Sequence, residues 1–292
     1  MDFDPSACVD LHIHSTASDG TLTPSEILEQ ASGLKLGAIS ITDHDTLDGS
    51  RQAIAGGIPD TLEFLTGVEI SAARPSFFPG KGSCHILGYR IDLDNKALNK
   101  TLQKLQSARK DRNPKILERL RNLGIDLSME AVRATAGPKG QIGRPHIAQA
   151  MLEKAYVSTF SAAFDNYLAT GKPAYVDKYR VDCPGAIKLI RAAGGIPVLA
   201  HPALLGTPEG RLDGSIIKSL KEMGLMGIEA FYPEHSTTQR EHYLGLANRY
   251  GLLVTGGTDF HGKFKPETRL GSGKGDLCVP IELFTALKNH AR

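Results

Sequence analysis

Short apolar runs recur along the chain, separated by segments in which apolar residues fall at helical spacing. Seven of these runs have the length and content of β-strands, and they cover residues 7–13, 38–42, 64–70, 85–91, 196–200, 227–231 and 252–255. In the first run, alternation puts His12 and His14 on one side of the strand and Leu11 and Ile13 on the other. The pattern predicts a sheet whose strands are joined by helices.

Capping and stop signals mark helix boundaries between these runs. Thr23, Pro24 and Glu26 have the spacing of a capping box at the start of the first helix. Further helices, each just before a strand, are predicted over residues 184–193, 216–223 and 243–250. Strands and helices in alternation predict an α/β fold with a parallel sheet closed as a barrel, one strand short of the usual eight.

The pattern changes between residues 99 and 179, where no run has the character of a strand. From residue 99 to residue 180 there are 15 Lys and Arg against 7 Asp and Glu, in a chain whose net charge is only +2. We therefore predict a barrel of residues 1–98 and 180–292, with an inserted basic helical subdomain of residues 99–179. The charge fits either a solvated helical surface or a lid that receives an anionic substrate.

Composition narrows the class of protein without identifying it. The 292 residues suffice for one large domain with an insertion, and the net charge argues neither for nor against nucleic acid. Four scattered cysteines without a Cys-x-x-Cys pair indicate reduced, mostly buried thiols, at Cys8, Cys84, Cys183 and Cys278. No signal peptide or membrane-spanning run is evident, so we expect a cytoplasmic protein without membrane contacts.

Residue types that bind metals recur where the predicted strands end. They are His12, His14, Asp19, His44, Glu69, His201, Glu229, Asp259 and His261. A single buried histidine is more often a core residue than a ligand, but in a barrel the carboxyl ends of strands converge on one face. His85 opens its run instead of ending it. That strand therefore either runs in the opposite direction or takes its ligand from the preceding loop.

Histidine and carboxylate ligands without cysteine favour borderline to hard divalent ions, namely Zn, Mn, Fe or Mg. These candidate ligands are too numerous for one ion and numerous enough for two or three. A carboxylate such as Glu69 can bridge two ions. A bridged pair activates water and stabilises both ends of an in-line displacement, so this residue set predicts hydrolysis of a phosphoester.

Together these motifs resemble those of the polymerase and histidinol phosphatase (PHP) family. They are Asp10-Leu-His-Ile-His-Ser, Thr42-Asp-His-Asp, Gly67-Val-Glu-Ile, Ala200-His-Pro and Gly257-Thr-Asp-Phe-His, and they span nearly the whole chain outside the insertion. The resemblance implies a distorted seven-stranded barrel and three metal ions, with manganese the first choice and zinc, iron or magnesium as alternatives. Asp10 is expected to orient an imidazole instead of binding metal.

The same resemblance implies which residues hold each ion. The ligands are His12, His14, Glu69 and Asp259 for one ion, Glu69, His85 and His201 for a second, and Asp19, His44 and His261 for the third. Because no ligand position is substituted, the resemblance implies an active metal-dependent enzyme.

The compact barrel with a helical insertion resembles the stand-alone bacterial branch of the family, which includes phosphatases of nucleoside 3′,5′-bisphosphates. This implies removal of the 3′-phosphate, for example from adenosine 3′,5′-bisphosphate, to give the 5′-monophosphate. We expect Arg144 and Arg180 to hold the remaining phosphate, with further candidates at Lys172, Lys178 and Lys81. His235, after the sixth strand, is the candidate general acid for the leaving oxygen or a contact for substrate phosphate.

Three alternatives differ in substrate or in class. A 5′→3′ exoribonuclease on short 5′-phosphorylated RNA would share the metals but needs residues on which bases stack. A histidinol phosphatase would take a cationic substrate, which the basic insertion does not suit. A non-catalytic module with a structural metal is disfavoured by the complete ligand set. No stable protein partner is implied.

Overall fold

The computed structural model describes residues 8–78, 84–136, 140–205 and 211–291. Within these residues the strands are β1 (Cys8–Ile13), β2 (Ala38–Ile41), β3 (Glu63–Ala73), β4 (Cys84–Tyr89), β5 (Val181–Asp182), β6 (Ile196–Leu199), β7 (Gly227–Phe231), β8 (Leu253–Gly256) and β9 (Val279–Pro280). They form one sheet in the order β8-β7-β6-β4-β3-β2-β1-β9, with β5 paired to β3. The α/β class is confirmed.

The sheet is a nearly closed barrel because its two ends meet. Beyond the end of β8 the chain returns to β1, where the His14 backbone N–H donates to the Phe260 carbonyl at 2.9 Å. Gly257 permits this approach, since a Cβ atom there would lie 2.3 Å from the His12 backbone nitrogen. The carboxyl end of β1 therefore faces the residues that follow β8.

β4 runs antiparallel to both of its neighbours, β3 and β6. Its first residues therefore lie at the end of the barrel where the parallel strands finish. His85, the second residue of β4, pairs with Ser71 near the end of β3. The first of the two alternatives for the fourth strand is the correct one.

Ten α-helices surround or extend this sheet in the part of the chain that the structure describes. They are α1 (Pro24–Gly33), α2 (Asp48–Gly56), α3 (Lys96–Asn122), α4 (Met129–Ala134), α5 (Arg144–Glu153), α6 (Phe160–Ala163), α7 (Cys183–Ala192), α8 (Gly214–Glu222), α9 (Thr237–Tyr250) and α10 (Ile281–Asn289). The predicted capping box is confirmed: Thr23 caps α1 and Glu26 bonds back to the Thr23 N–H.

The long helix α3 connects the barrel to the basic helical segment. Its first half contributes Leu98, Leu102 and Leu105 to the barrel core. Its second half contributes Ile116, Leu117 and Leu120 to a separate apolar cluster with side chains of α4 and α5. Two buried arginines, Arg109 and Arg112, lie between these apolar stretches. They are followed by Pro114 inside the helix.

Three expectations need correction. The sheet has two strands beyond the seven predicted, β5 and β9, and at two residues each they are too short to leave an alternation pattern. β3 continues to Ala73, so Glu69 lies within a strand instead of at its end. Cys8 and Cys278 form a disulfide, so only Cys84 and Cys183 are buried free thiols.

Among the described residues, no helix combines the length and apolar character needed to cross a bilayer. The cytoplasmic location remains a prediction.

Candidate metal centre and adjoining cavity

The nine residues of the three expected ligand sets meet at one end of the barrel. They fall into four overlapping groups, within each of which the ligand atoms lie within 4.8 Å of one another. The groups are His14–Asp19–His44–His261, His12–Glu69–His201, His12–His14–Asp259 and His44–Glu69–His85. The proximity expected from strand ends is therefore present, while the roles of these residues as metal ligands remain a prediction.

Strand β1 supplies the first two of these side chains. His12 and His14 are fully buried, and their Nε2 atoms lie 3.3 Å apart. Leu11 and Ile13, on the opposite face of β1, are equally buried in apolar clusters. Alternation along the strand thus separates the polar centre from the core, as the sequence predicts.

The Glu69 carboxylate lies at the middle of the cluster. Oε1 is 2.8 Å from His85 Nδ1 and 2.9 Å from His201 Nε2, and Oε2 is 2.7 Å from His44 Nδ1. Burial raises the pKa of Glu69, but His85, His44 and His12 outweigh burial and hold it well below its usual range. A carboxylate whose two oxygens each face imidazoles, His85 and His201 on one side and His44 on the other, has the position required to bridge two cations.

Asp19 and Asp259 complete the cluster on either side of His14. His14 Nε2 is 3.1 Å from Asp259 Oδ1, and His14 Nδ1 is 3.6 Å from Asp19 Oδ1. Burial lowers the pKa of His14, but hydrogen bonds to Asp259 and Glu69 outweigh it and raise the pKa to about 9. Burial also lowers the pKa of His261, to about 3, so this imidazole is neutral and available as a ligand at pH 7.

The donor set fits divalent cations by a direct structural test. Within the cluster, three buried polar atoms that face other candidate ligands have no hydrogen-bond partner, namely Asp19 Oδ1, His44 Nδ1 and Glu69 Oε2. Two of these, on His44 and Glu69, lie 2.7 Å apart without hydrogen-bond geometry. Because unpartnered buried polar atoms are costly, a bound cation is the natural partner for atoms that converge in this way.

A second layer of carboxylates holds the ligands in place. Glu229 Oε1 is 2.9 Å from His12 Nδ1, and Glu229 Oε2 accepts a 2.6 Å hydrogen bond from the backbone N–H of His201. Asp10 accepts hydrogen bonds from the backbone N–H groups of His12, Thr258 and Gly271 and from the Thr258 hydroxyl, so it supports His12 through the backbone and not through the expected contact to an imidazole. Glu229 orients the imidazole of His12 instead.

A cavity of about 1030 Å³ opens beside the cluster. One part of its wall carries ligand residues, including Asp19, His44 and Glu69. Another part carries five cationic side chains, which are Arg109, Arg112, Arg144, Lys178 and Arg180. We call these five residues the cationic wall. Three of them were expected from the sequence.

Arg109 and Arg112 were missed because their burial depends on how α3 packs. The available signal was their spacing of three residues, which puts both on one face of a helix. Arg109 Nη2 lies 2.7 Å from Asp45 Oδ2, and Lys178 Nζ lies 3.4 Å from the same oxygen. Burial, reinforced by Arg109, lowers the pKa of Lys178 to about 7.

Two of the predicted substrate residues that the structure describes are not brought to the cavity. His235 is not among the lining residues, and its Nδ1 is 2.9 Å from the Ala230 carbonyl oxygen. Lys172 is exposed in a turn away from the lining. Lys81 lies outside the described residues.

Comparison with known proteins identifies the family of this chain. Residues 10–181 match the model of the PHP domain, more than half of the chain. The chain belongs to the PHP family. Among PHP relatives, a 5′-3′ exoribonuclease from Haemophilus influenzae is 34% identical over 252 residues, covering 86% of this chain and 89% of the relative. A 3′,5′-nucleoside bisphosphate phosphatase from Chromobacterium violaceum is 31% identical over 285 residues, covering 94% and 95%.

A solved structure supports the fold over nearly the whole chain. The protein comes from Bifidobacterium adolescentis and is named as a candidate metal-dependent phosphoesterase. It superposes with a TM-score of 0.84 at 31% identity, covering 97% of this chain and 96% of its own.

Proposed function

We propose that this protein is a metal-dependent phosphatase that removes the 3′-phosphate from nucleoside 3′,5′-bisphosphates and releases the 5′-monophosphate and phosphate. One observation carries the proposal: a single cavity joins a cluster of histidine and carboxylate side chains to the cationic wall. A substrate with two phosphates, one at each region, matches this division.

Three divalent ions, with manganese the first choice, would be held by the three ligand sets given above and would activate water and neutralise charge on the phosphoryl oxygens. Glu69 is the shared ligand of the first two sets and stays ionised in its buried position. Glu229 holds His12 and His201 in position, which limits rearrangement of the ligands during turnover.

The cationic wall would orient the substrate by its remaining phosphate. Arg144 and Arg180 both line the cavity, as expected for residues that bind this group. Arg109 and Arg112 come from α3, and Lys178 and Arg180 from the segment that returns to the barrel. This supports residues 99–179 as an inserted substrate-binding subdomain on a barrel of residues 1–98 and 180–292.

Exoribonuclease activity on short RNA is the second candidate. It is favoured by the named activity of the Haemophilus influenzae relative. Phe160 and Phe164 also line the cavity, and aromatic rings there provide a surface for base stacking. Histidinol phosphatase activity is not favoured, because the cationic wall would repel an amino alcohol.

Turnover on two substrates separates the first two candidates. We expect manganese-loaded protein to hydrolyse adenosine 3′,5′-bisphosphate with a kcat/KM well above that for a 5′-phosphorylated pentanucleotide, and to lose both activities after chelation. A higher kcat/KM for the pentanucleotide would overturn the phosphatase assignment in favour of the exoribonuclease.

A further inference from the structure

The five residues of the cationic wall differ in whether a carboxylate of the same chain forms an ion pair with them. Arg109 and Lys178 share the Asp45 carboxylate, and Arg180 pairs with Asp177. Within the described residues, no carboxylate lies within 4.0 Å of either remaining cation, Arg112 or Arg144. The wall therefore contains two guanidinium groups that lack an anionic partner.

Arg112 is the more constrained of the two. It is only 4% exposed, its Nη2 donates to Asn113 Oδ1 at 3.2 Å, and its buried Nε has no partner. Burial, then the nearby charges of Arg109, Arg144 and Arg180, lower its pKa to about 9. A buried and unpaired guanidinium destabilises a protein, so a binding role explains its presence better than a structural one.

Arg144, the first residue of α5, likewise has no carboxylate partner among the described residues. Its Nη1 donates to the Leu168 carbonyl at 3.0 Å, and its guanidinium lies over the ring of Tyr175, 5.5 Å from the centroid. These contacts fix the direction of the side chain without neutralising its charge. Burial lowers the pKa of Arg144, as it does for Arg112.

We infer that Arg112 and Arg144 together bind the second phosphate of the substrate, as a dianion, while Arg180 stays paired with Asp177 and supports the wall. This inference rests on the proposed function and changes the expected pair, which was Arg144 with Arg180. Two guanidinium groups offer several fixed N–H donors, which suit the tetrahedral oxygens of a phosphate, and their two charges match its two.

Binding of inorganic phosphate to metal-depleted protein tests the inference independently of catalysis. The variants are Arg112→Gln and, as a matched control on the same helix, Arg121→Gln, whose side chain is 66% exposed and pairs with Asp126. We expect phosphate, compared with chloride at equal ionic strength, to raise the Tm of wild type and R121Q by roughly 2 °C or more. R112Q should lose this rise.

The stability of R112Q without phosphate separates a binding role from a structural one. Because the substitution removes a buried unpaired charge, R112Q should unfold at or above the wild-type Tm in phosphate-free buffer. A clearly lower Tm together with an unchanged response to phosphate would overturn the inference. If R112Q does not fold, Arg144→Gln takes its place, and an unchanged phosphate response in R144Q would overturn the inference equally.

Kinetics locate the phosphate within the substrate. R112Q should lower kcat/KM for adenosine 3′,5′-bisphosphate by about 10- to 100-fold, mainly through KM, and leave adenosine 3′-monophosphate nearly unaffected. Equal losses on both substrates would contradict the inference. If wild type hydrolyses neither, the proposed function fails, and phosphate binding still decides the role of Arg112.

Discussion

Glu229 supports the candidate metal centre by contacting two of its expected ligand residues. Its carboxylate is fully buried and touches two ligand residues, His12 through the imidazole and His201 through the backbone N–H. With the Nδ1 proton directed at Glu229, His12 keeps Nε2 free on the side of Glu69 and Asp259. Glu229 therefore selects the tautomer that can bind metal.

Glu229→Gln should weaken metal binding without removing any ligand. The amide nitrogen of glutamine cannot accept a hydrogen bond, so either the His12 Nδ1–H or the His201 N–H loses its partner. We expect manganese affinity to fall by about 10- to 100-fold, measured by competition with a fluorescent chelator. Glu234→Gln, at an exposed residue that lines the cavity, is the control and should match wild type. Equal affinities of E229Q and wild type would show that Glu229 does not act on the ligands.

At the scale of elements, the sequence predicted what depends on local pattern and missed what depends on packing. Alternation along β1 and the capping box of α1 are local, and both are confirmed. The direction of β4 depends on pairing with β3 and β6, which one sequence does not encode in a readable form. Arg112 was not predicted as a site residue because its burial depends on the packing of α3.

The closure of the barrel between β8 and β1 gives a prediction at this scale. In Gly257→Ala the new Cβ would meet His12 backbone atoms, which cannot move without displacing a ligand strand. We expect a loss of about 2–3 kcal/mol in the free energy of unfolding, measured with urea, together with weaker manganese binding. The paired control is Gly245→Ala in α9, where a Cβ meets no atom within 4 Å. That substitution should stabilise the protein by about 0.5–1 kcal/mol. Similar effects of the two substitutions would argue against a tight closure.

At the scale of the whole molecule, the two ends of the described chain are joined. β9 pairs with β1, and the Cys8–Cys278 disulfide links residues 270 positions apart beside this pairing. The sequence suggested four reduced thiols because no short cysteine spacing was present, and a pair this distant becomes recognisable only when the barrel brings both residues together. The strand that carries His12 and His14 is thereby held at its start by a covalent link.

Thiol counting tests this link directly. Protein purified without reductant and then denatured should show two reactive thiols, those of Cys84 and Cys183, and four after reduction. Because the disulfide closes a long loop, its reduction should lower the free energy of unfolding by about 2–4 kcal/mol. A variant with both Cys8→Ser and Cys278→Ser should be insensitive to reductant. Four thiols in the unreduced protein would restore the original prediction, and β1 would then be held at its start only by strand pairing with β2 and β9.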